Sequence, residues 1–494
     1  MQSSNELQNW FMRLDKRIYA AIVGIAIGLL GGGIALLIIL TDPLLAIAAV
    51  IGILAALYIL TDVNVALYAL ISILLLLPFG IFPVKIGFKP SLIDLSMGAF
   101  LLVYLFQWMT GRRQQLRLTP VHLLLALYIG WLLLTYALGL RYAMPTQRNI
   151  REFGGVILAI GIVFVLVDLL RDPKMLRRLI WVIFIGIGTQ ALIAIVLYAL
   201  PDLTAENILV RLAVLDYPNG GVIRYIEDNP ALGERAIGTW IDPNTLGGVL
   251  AVAAAMLTPQ VLAKKPVLRY RGLTLIVLGL VGIALFLTFS RSSFLAYGVS
   301  LFVLAIVRYR KLLPVLAVGA VLFFILPQTQ AYVDRLMQAF AGADLATQMR
   351  IGEWTDSLRL ISRYPIFGVG FTGTPEIDIY TDVANMYLNM ANQIGLIGVG
   401  VFLTAMAGVF IYGIRAWRYA KQDEEFDAIH LGYHLALLTA LVNSIADLYY
   451  FRPDFQGPIT WFWLVVALCL TSSRLALERY RNTESNIVKS REVL

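Results

Sequence analysis

Apolar residues run in long blocks along this chain, separated alternately by short basic stretches and by longer mixed polar segments. A helix needs roughly 17–25 apolar residues to cross about 30 Å of hydrocarbon. Blocks of that kind fall at about 18–40, 43–60, 64–82, 91–109, 120–140, 153–170, 179–200, 243–263, 272–290, 292–307, 312–327, 384–414, 430–449 and 458–473. At these lengths only helices satisfy their own backbone polar groups in lipid. The pattern therefore predicts an all-α fold, a polytopic transmembrane helix bundle of about 12–14 spans within one integral membrane domain over 1–494. The first block is too long for the apolar region of a secretory signal and lacks a small-residue cleavage pattern, so it is expected to stay as an anchor.

Composition agrees. With 59% hydrophobic residues, 14% charged residues and a mean hydropathy of +0.79, a soluble globular protein is excluded. The lone Cys469 sits in a late apolar block, which excludes an intramolecular disulfide, three histidines without ligand spacing argue against a metal centre, and no cofactor is expected. The clusters Arg13/Lys16/Arg17, GRRQQLR, RDPKMLRR, KKPVLRYR, RYRK and RAWRYAK all fall on one side of the predicted spans. Basic loops stay in the cytoplasm, so both termini are expected inside, and residues 475–494 read as a cytoplasmic tail. The basic balance is then a signal of topology, and no nucleic-acid partner is implied.

The polar mass lies on the other side, in segments at about 141–152, 201–242 and 328–383. The last predicts a large, partly helical outer loop, since Ile351, Trp354, Leu358 and Ile361 form one apolar stripe at helical spacing. Such a helix lies along a membrane surface or caps a cavity. Pro365 should end it, and the glycines of PIFGVGF permit a tight turn back toward the bilayer.

Arginines on this outer side run against the basic bias: Arg141, Arg148, Arg151, Arg211, Arg224, Arg235, Arg291, Arg335, Arg350, Arg359, Arg363 and Arg452. Arg291, in LTFSRSSFLAYG, falls at the end of a span, where an unreceived charge is costly. A guanidinium donates two parallel hydrogen bonds to a phosphate and keeps its charge, which suits a lipid-linked diphosphate. Plainer readings exist. Arg291 can snorkel while Ser290 caps the next helix, and Arg350 can pair with Glu353. Asp94, Asp447 and His434 read as interfacial or paired side chains.

The run TFSRSSFLAYGVSLFVLAIV, then RIGEWTDSLRLISRYPIFGVGF, then NMYLNMANQIGLIGVGVF, resembles the core of the O-antigen ligase and O-antigen polymerase superfamily. Upstream, GTWIDPNTLGGVLAVAAAML and SLIDLSMGAFLL resemble its Pro-Asn segment and its early aspartate motif, and the likeness is specific across about 237–410. It implies a metal-independent C-type glycosyltransferase of a bacterial inner membrane, active on the periplasmic face. Its partners would be an undecaprenyl-diphosphate-linked glycan donor, a glycan or lipid acceptor, and membrane lipids. Arg291 and Arg350 match the arginines that bind the donor diphosphate, with Arg148 and Arg151 as further candidates. Asn244, Tyr387 and Asp382 are candidates for the cavity and the acceptor.

One departure stands out, because ligases of this family commonly carry His-Asn where this chain has Ala384-Asn385. A general base for the acceptor hydroxyl is then missing, and neither Asn385 nor Tyr387 is a competent base near neutral pH. Glu353, Glu376, Asp378 and Asp382 are the carboxylates nearby in sequence that can substitute, with no pattern to choose among them. The absence turns the expectation from ligase toward polymerase. A transporter for a small anion or a lipid-linked glycan is the alternative, although charges gathered at one face differ from the midplane sites of transporters.

Overall fold

The computed structural model describes residues 58–59, 62–82, 89–111, 115–267, 270–326, 329–342, 345–373 and 383–492. The predicted span 18–40 and most of 43–60 lie outside the described residues, as do Glu376, Asp378 and Asp382. Fifteen α-helices are described, in the order α1 (Val63–Leu76), α2 (Leu92–Met109), α3 (Val121–Gly139), α4 (Gln147–Leu169), α5 (Pro173–Ala199), α6 (Asp202–Val210), α7 (Pro243–Leu262) and α8 (Arg271–Leu287). There follow α9 (Arg291–Val307), α10 (Leu312–Ile325), α11 (Gln330–Phe340), α12 (Leu345–Arg363), α13 (Met386–Ala420), α14 (Glu424–Asn443) and α15 (Gln456–Glu492). The described strands are a two-residue pair, β1 (Arg224–Tyr225) antiparallel to β2 (Glu234–Arg235), in the segment before α7.

The fold is an all-α polytopic bundle. Among the described residues seven helices are long and apolar enough to cross a membrane: α2, α3, α4, α5, α7, α13 and α15 as far as Tyr480. Four shorter apolar helices accompany them, α1, α8, α9 and α10. The chain divides into two compact units, 1–69 with 98–116, and 70–97 with 117–494. The second holds α3 to α15 whole.

Its core is built on α7 and α15. Small residues in the α7 run GGVLAVAAAM let α8, α9 and α14 approach closely, and nearly the whole helix is buried. The apolar part of α15 is enclosed by α4, α13 and α14. Helix starts carry their own caps. Asp242 accepts from the Thr245 amide at 2.7 Å, with Pro243 in the first turn of α7, and Asn385 accepts from the amides of Tyr387 and Leu388 at 2.9 and 3.1 Å.

α13 is broken at Gly395, whose φ of 70° and ψ of 173° are open essentially to glycine alone. The break frees carbonyls that the neighbouring turn uses. Val369 and Gly370 donate to the oxygens of Asn392 and Gln393 at 2.8 Å each, the Trp131 indole donates to Ile394 O at 2.8 Å, and the Leu396 amide donates to Pro365 O at 2.8 Å. The predicted turn at PIFGVGF is therefore a wedge driven into a kinked helix, and Pro365 indeed follows the end of α12. A Cβ at position 395 would strike the Ile366 carbonyl. We expect Gly395→Ala to cost at least ~2 kcal/mol, read as a clear drop in thermal midpoint in detergent; an unchanged midpoint would show that the kink relaxes freely.

α12 shows why its apolar stripe could be seen in sequence while its orientation could not. Ile351, Trp354 and Leu358 lie exposed on the outward face, with Ile361 half-buried. The inward face carries Arg350, Glu353, Ser357 and Leu360, and Ser357 Oγ meets Asn392 Oδ1 of α13 at 3.0 Å. The face toward the protein thus mixes polar and apolar side chains, while the apolar stripe is left on the exposed face.

Candidate functional site

Two helices start at the site from a strained turn. Ile241 (φ 62°) precedes the Asp242 cap of α7, and Phe289 (φ 52°) precedes Ser290 at the start of α9. A bulky residue in the left-handed region persists only where its surroundings over-determine it. Around Phe289 those surroundings are aromatic, since its ring stacks on Tyr332 at 5.2 Å, and Tyr332 also stacks on Phe286 at 5.0 Å. The turn delivers Ser290, Arg291, Ser292 and Ser293 to one place. Ser290 stands at the cap position, yet its hydroxyl makes no cap bond and meets Ser293 Oγ at 2.9 Å instead.

Glycines of α7 make room for this. A Cβ on Gly247 would meet Ser290 Cβ at 2.8 Å and Ser293 Oγ at 3.0 Å, and one on Gly248 would collide with the Tyr449 hydroxyl. Backbone and polar side chains therefore meet here without an intervening apolar layer.

The residue at the centre is Asp447, in the loop between α14 and α15. It is 5% exposed. Ser292 Oγ donates to its Oδ2 at 2.6 Å and Asn443 Nδ2 donates to the same oxygen at 3.3 Å, leaving Oδ1 with no hydrogen bond among the described residues. Asn443 also accepts from Ser293 Oγ at 3.0 Å and donates to the Tyr449 hydroxyl at 2.6 Å, and that hydroxyl reaches Asn244 O at 3.1 Å. Burial raises the Asp447 carboxyl to about 6, against the opposing pull of Arg350, the Ser292 hydrogen bond and Arg235, while Asp242 pushes the same way as burial.

The sequence candidates divide into two places. Arg291 lies beside Ser292 in the first turn of α9, and Arg350 reaches Asp447 electrostatically while making no ion pair among the described residues. Asn244 accepts from Arg235 Nη2 at 2.7 Å, and Arg235 Nε donates to Thr288 O at 2.8 Å, so this arginine also belongs to the cluster. Glu353 does not pair with Arg350. Its Oε2 accepts from the Ala384 amide at 2.9 Å, pinning the segment in front of α13. Asn385 caps α13, and the Tyr387 hydroxyl donates to Leu441 O at 2.8 Å, which ties α13 to α14. The Met386 amide is within 2.9 Å of Asp447 O and of Ser444 O, so the Ala384-Asn385 pair adjoins the Asp447 loop.

Arg148 and Arg151 stand elsewhere. They line a cavity of about 720 Å³ at the start of α4, which shares Arg148, Glu152, Pro453 and Asp454 with a second cavity of about 310 Å³ bounded by the Val369–Gly373 turn. Among the described residues no three His, Cys, Asp or Glu side chains converge as metal ligands do.

Residues 275–403 match the O-antigen ligase family. The matched segment runs from α8 into α13 and carries Arg291, Arg350, Glu353, Asn385 and Tyr387, whereas Asn244, Arg235 and the whole Asp447 loop lie outside it. No curated protein matches the chain. The O-antigen ligase match supports, at the level of family, a multi-pass membrane glycosyltransferase of ligase or polymerase type acting on lipid-linked glycan.

Sequence reasoning missed Asp447, Asn443 and Tyr449 as a set, and treated Arg235 only as one of many outer arginines. The signal was there in Asn443 and Asp447, four residues apart at the end of an apolar block, a spacing that puts both on one face of a helix.

Proposed function

We propose that this protein is a glycan polymerase of the membrane, transferring glycan from a polyprenyl diphosphate to an acceptor hydroxyl on the outer face of a bacterial inner membrane. The observation that carries the reading is the buried Asp447 held by Ser292 and faced by Arg350, at the start of the helix that begins with Arg291. Arg350 and Arg235 both act on the Asp447 carboxylate, and Arg291 heads the helix whose Ser292 holds it, so guanidinium groups suited to a diphosphate are associated with this carboxylate.

The chemistry needs three things from such a site. Arginines hold the diphosphate and stabilise the charge that grows on it as the bond from the anomeric carbon to its oxygen breaks. The acceptor oxygen forms the new bond to that carbon from the opposite side. Its proton passes to Oδ1 of Asp447, whose raised pKa suits a base near neutral pH. Asp447 thereby fills the role of the absent histidine, and Glu353 keeps the neighbouring backbone in place.

The face follows from charge. α7, α9 and α13 all start at the site and end in basic stretches, Lys264 and Lys265, Arg308 and Arg310, and Arg418 and Lys421. Basic ends stay in the cytoplasm, which supports a site on the outer face.

The test uses purified protein in liposomes with a synthetic polyprenyl-diphosphate oligosaccharide and gel-resolved products. Longer lipid-linked chains are expected from the unaltered protein. Arg291→Lys keeps the charge and loses the bidentate fork, so transfer should fall about 10–100-fold. Undiminished transfer by this variant removes Arg291 from the diphosphate site. No product from the unaltered protein, together with solute flux, would mean transport instead.

A further inference from the structure

We infer that the paired cavities at the start of α4 form the binding site for the acceptor glycan, and that Arg148, Arg151 and Arg452 serve it as hydrogen-bond donors to sugar hydroxyls rather than as a diphosphate clamp. The inference rests on the transferase reading above and adds to it the location of the second substrate.

Charge balance is the first argument. The cations lining the two cavities are Lys89, Arg148, Arg151 and Arg452, and the carboxylates are Asp94, Glu152, Asp216 and Asp454. Most of these are already matched. Arg148 Nε meets Glu152 Oε1 at 2.6 Å, Arg452 Nε meets Asp454 Oδ1 at 2.7 Å, and Lys89 Nζ meets Asp216 Oδ1 at 3.3 Å. Among the described residues, a diphosphate entering here would meet as many carboxylates as cations. A sugar hydroxyl donates and accepts at once, so alternating guanidinium and carboxylate groups suit it without net charge.

Amides and rings give the second argument. Gln393 and Gln456 line these cavities, and Gln393 Oε1 and Gln456 Nε2 are buried atoms without a hydrogen-bond partner among the described residues, one an acceptor and the other a donor. Buried amide atoms left unmatched are costly, and a turn of either side chain toward the cavity would offer them to hydroxyls, which satisfy both kinds. Phe153 and Phe371, with ring centroids 4.9 Å apart, supply apolar wall for the C–H face of a sugar ring. The volumes of about 310 and 720 Å³ fall in the range of small-molecule sites.

Placement is the third. Arg452 and Asp454 belong to the same loop as Asp447, and Asn392 of the smaller cavity bonds to Ser357, one helical turn from Glu353. A glycan seated in the cavity thus lies against the loop that carries the base.

The experiment is a pair of binding titrations on the full-length protein in detergent. One probe is the oligosaccharide released by mild acid from the source cell's own polyprenyl-linked glycans, and the other is sugar-free polyprenyl diphosphate. Gln456→Ala and Asp454→Asn are each expected to weaken the oligosaccharide about tenfold with diphosphate affinity kept, and Arg291→Lys to do the reverse. Two variants are used so that misfolding of one, seen as a lost thermal midpoint, leaves the other decisive. Diphosphate binding without oligosaccharide binding, or Gln456→Ala and Asp454→Asn weakening only the diphosphate, overturns the acceptor site and spares the transferase reading. If neither probe binds, both fall.

Discussion

Asp447→Asn is expected to lower transfer by about 10²–10⁴-fold while donor affinity stays within a few fold. The substitution keeps size and most hydrogen bonding. An amide oxygen still accepts from Ser292 and Asn443, and the contact of the Met386 amide is to the backbone oxygen of residue 447, so the loop has reason to hold. What disappears is the capacity to take a proton at Oδ1. For the unaltered protein the rate should fall with an acid limb near pH 6, because burial raises this carboxyl to about 6 and the base works only when ionised. In the Asn variant the residual rate should lose that limb. A variant with full activity, or one whose activity is low while the limb persists, would show that another group accepts the proton.

How much of this could be read in the sequence depends on where the residues sit along the chain. The apolar blocks from 64–82 to 458–473 correspond to helices α1 to α5, α7 to α10 and α13 to α15, because hydrocarbon length and backbone satisfaction are local requirements that a window of sequence expresses. Arg291, Arg350, Glu353, Asn385 and Tyr387 were legible as a group because they occur within one contiguous stretch. Asp447 was not. A single acid at the end of an apolar block is usually interfacial, and only packing of the α14–α15 loop against the first turn of α9 makes it buried and bound. Arg148 and Arg151 share the chemistry of Arg291 but not its location. Their separation depends on the neighbours of the start of α4, and Glu152, which pairs with Arg148 from one turn away, was a visible hint that these charges are locally answered.

Loss of Arg350 carries the other large effect, and it separates two roles that a single rate cannot. Arg350→Gln should cut transfer about 10²–10³-fold through lost stabilisation of the leaving diphosphate. It should also move the acid limb. Arg350 holds the Asp447 carboxyl below the value that burial alone would give, so removing its charge raises that pKa and shifts the limb to higher pH. Arg350→Lys retains the charge and loses the fork, so its limb should stay near pH 6 while transfer still falls. If the Gln limb remains in place, the acid limb does not report Asp447; if it moves but transfer at its plateau is unchanged, Arg350 tunes the base without touching the donor. A shifted limb with a lowered plateau in Gln, beside an unshifted limb with a lowered plateau in Lys, is the one combination in which the arginine acts on the diphosphate and on the carboxylate at once.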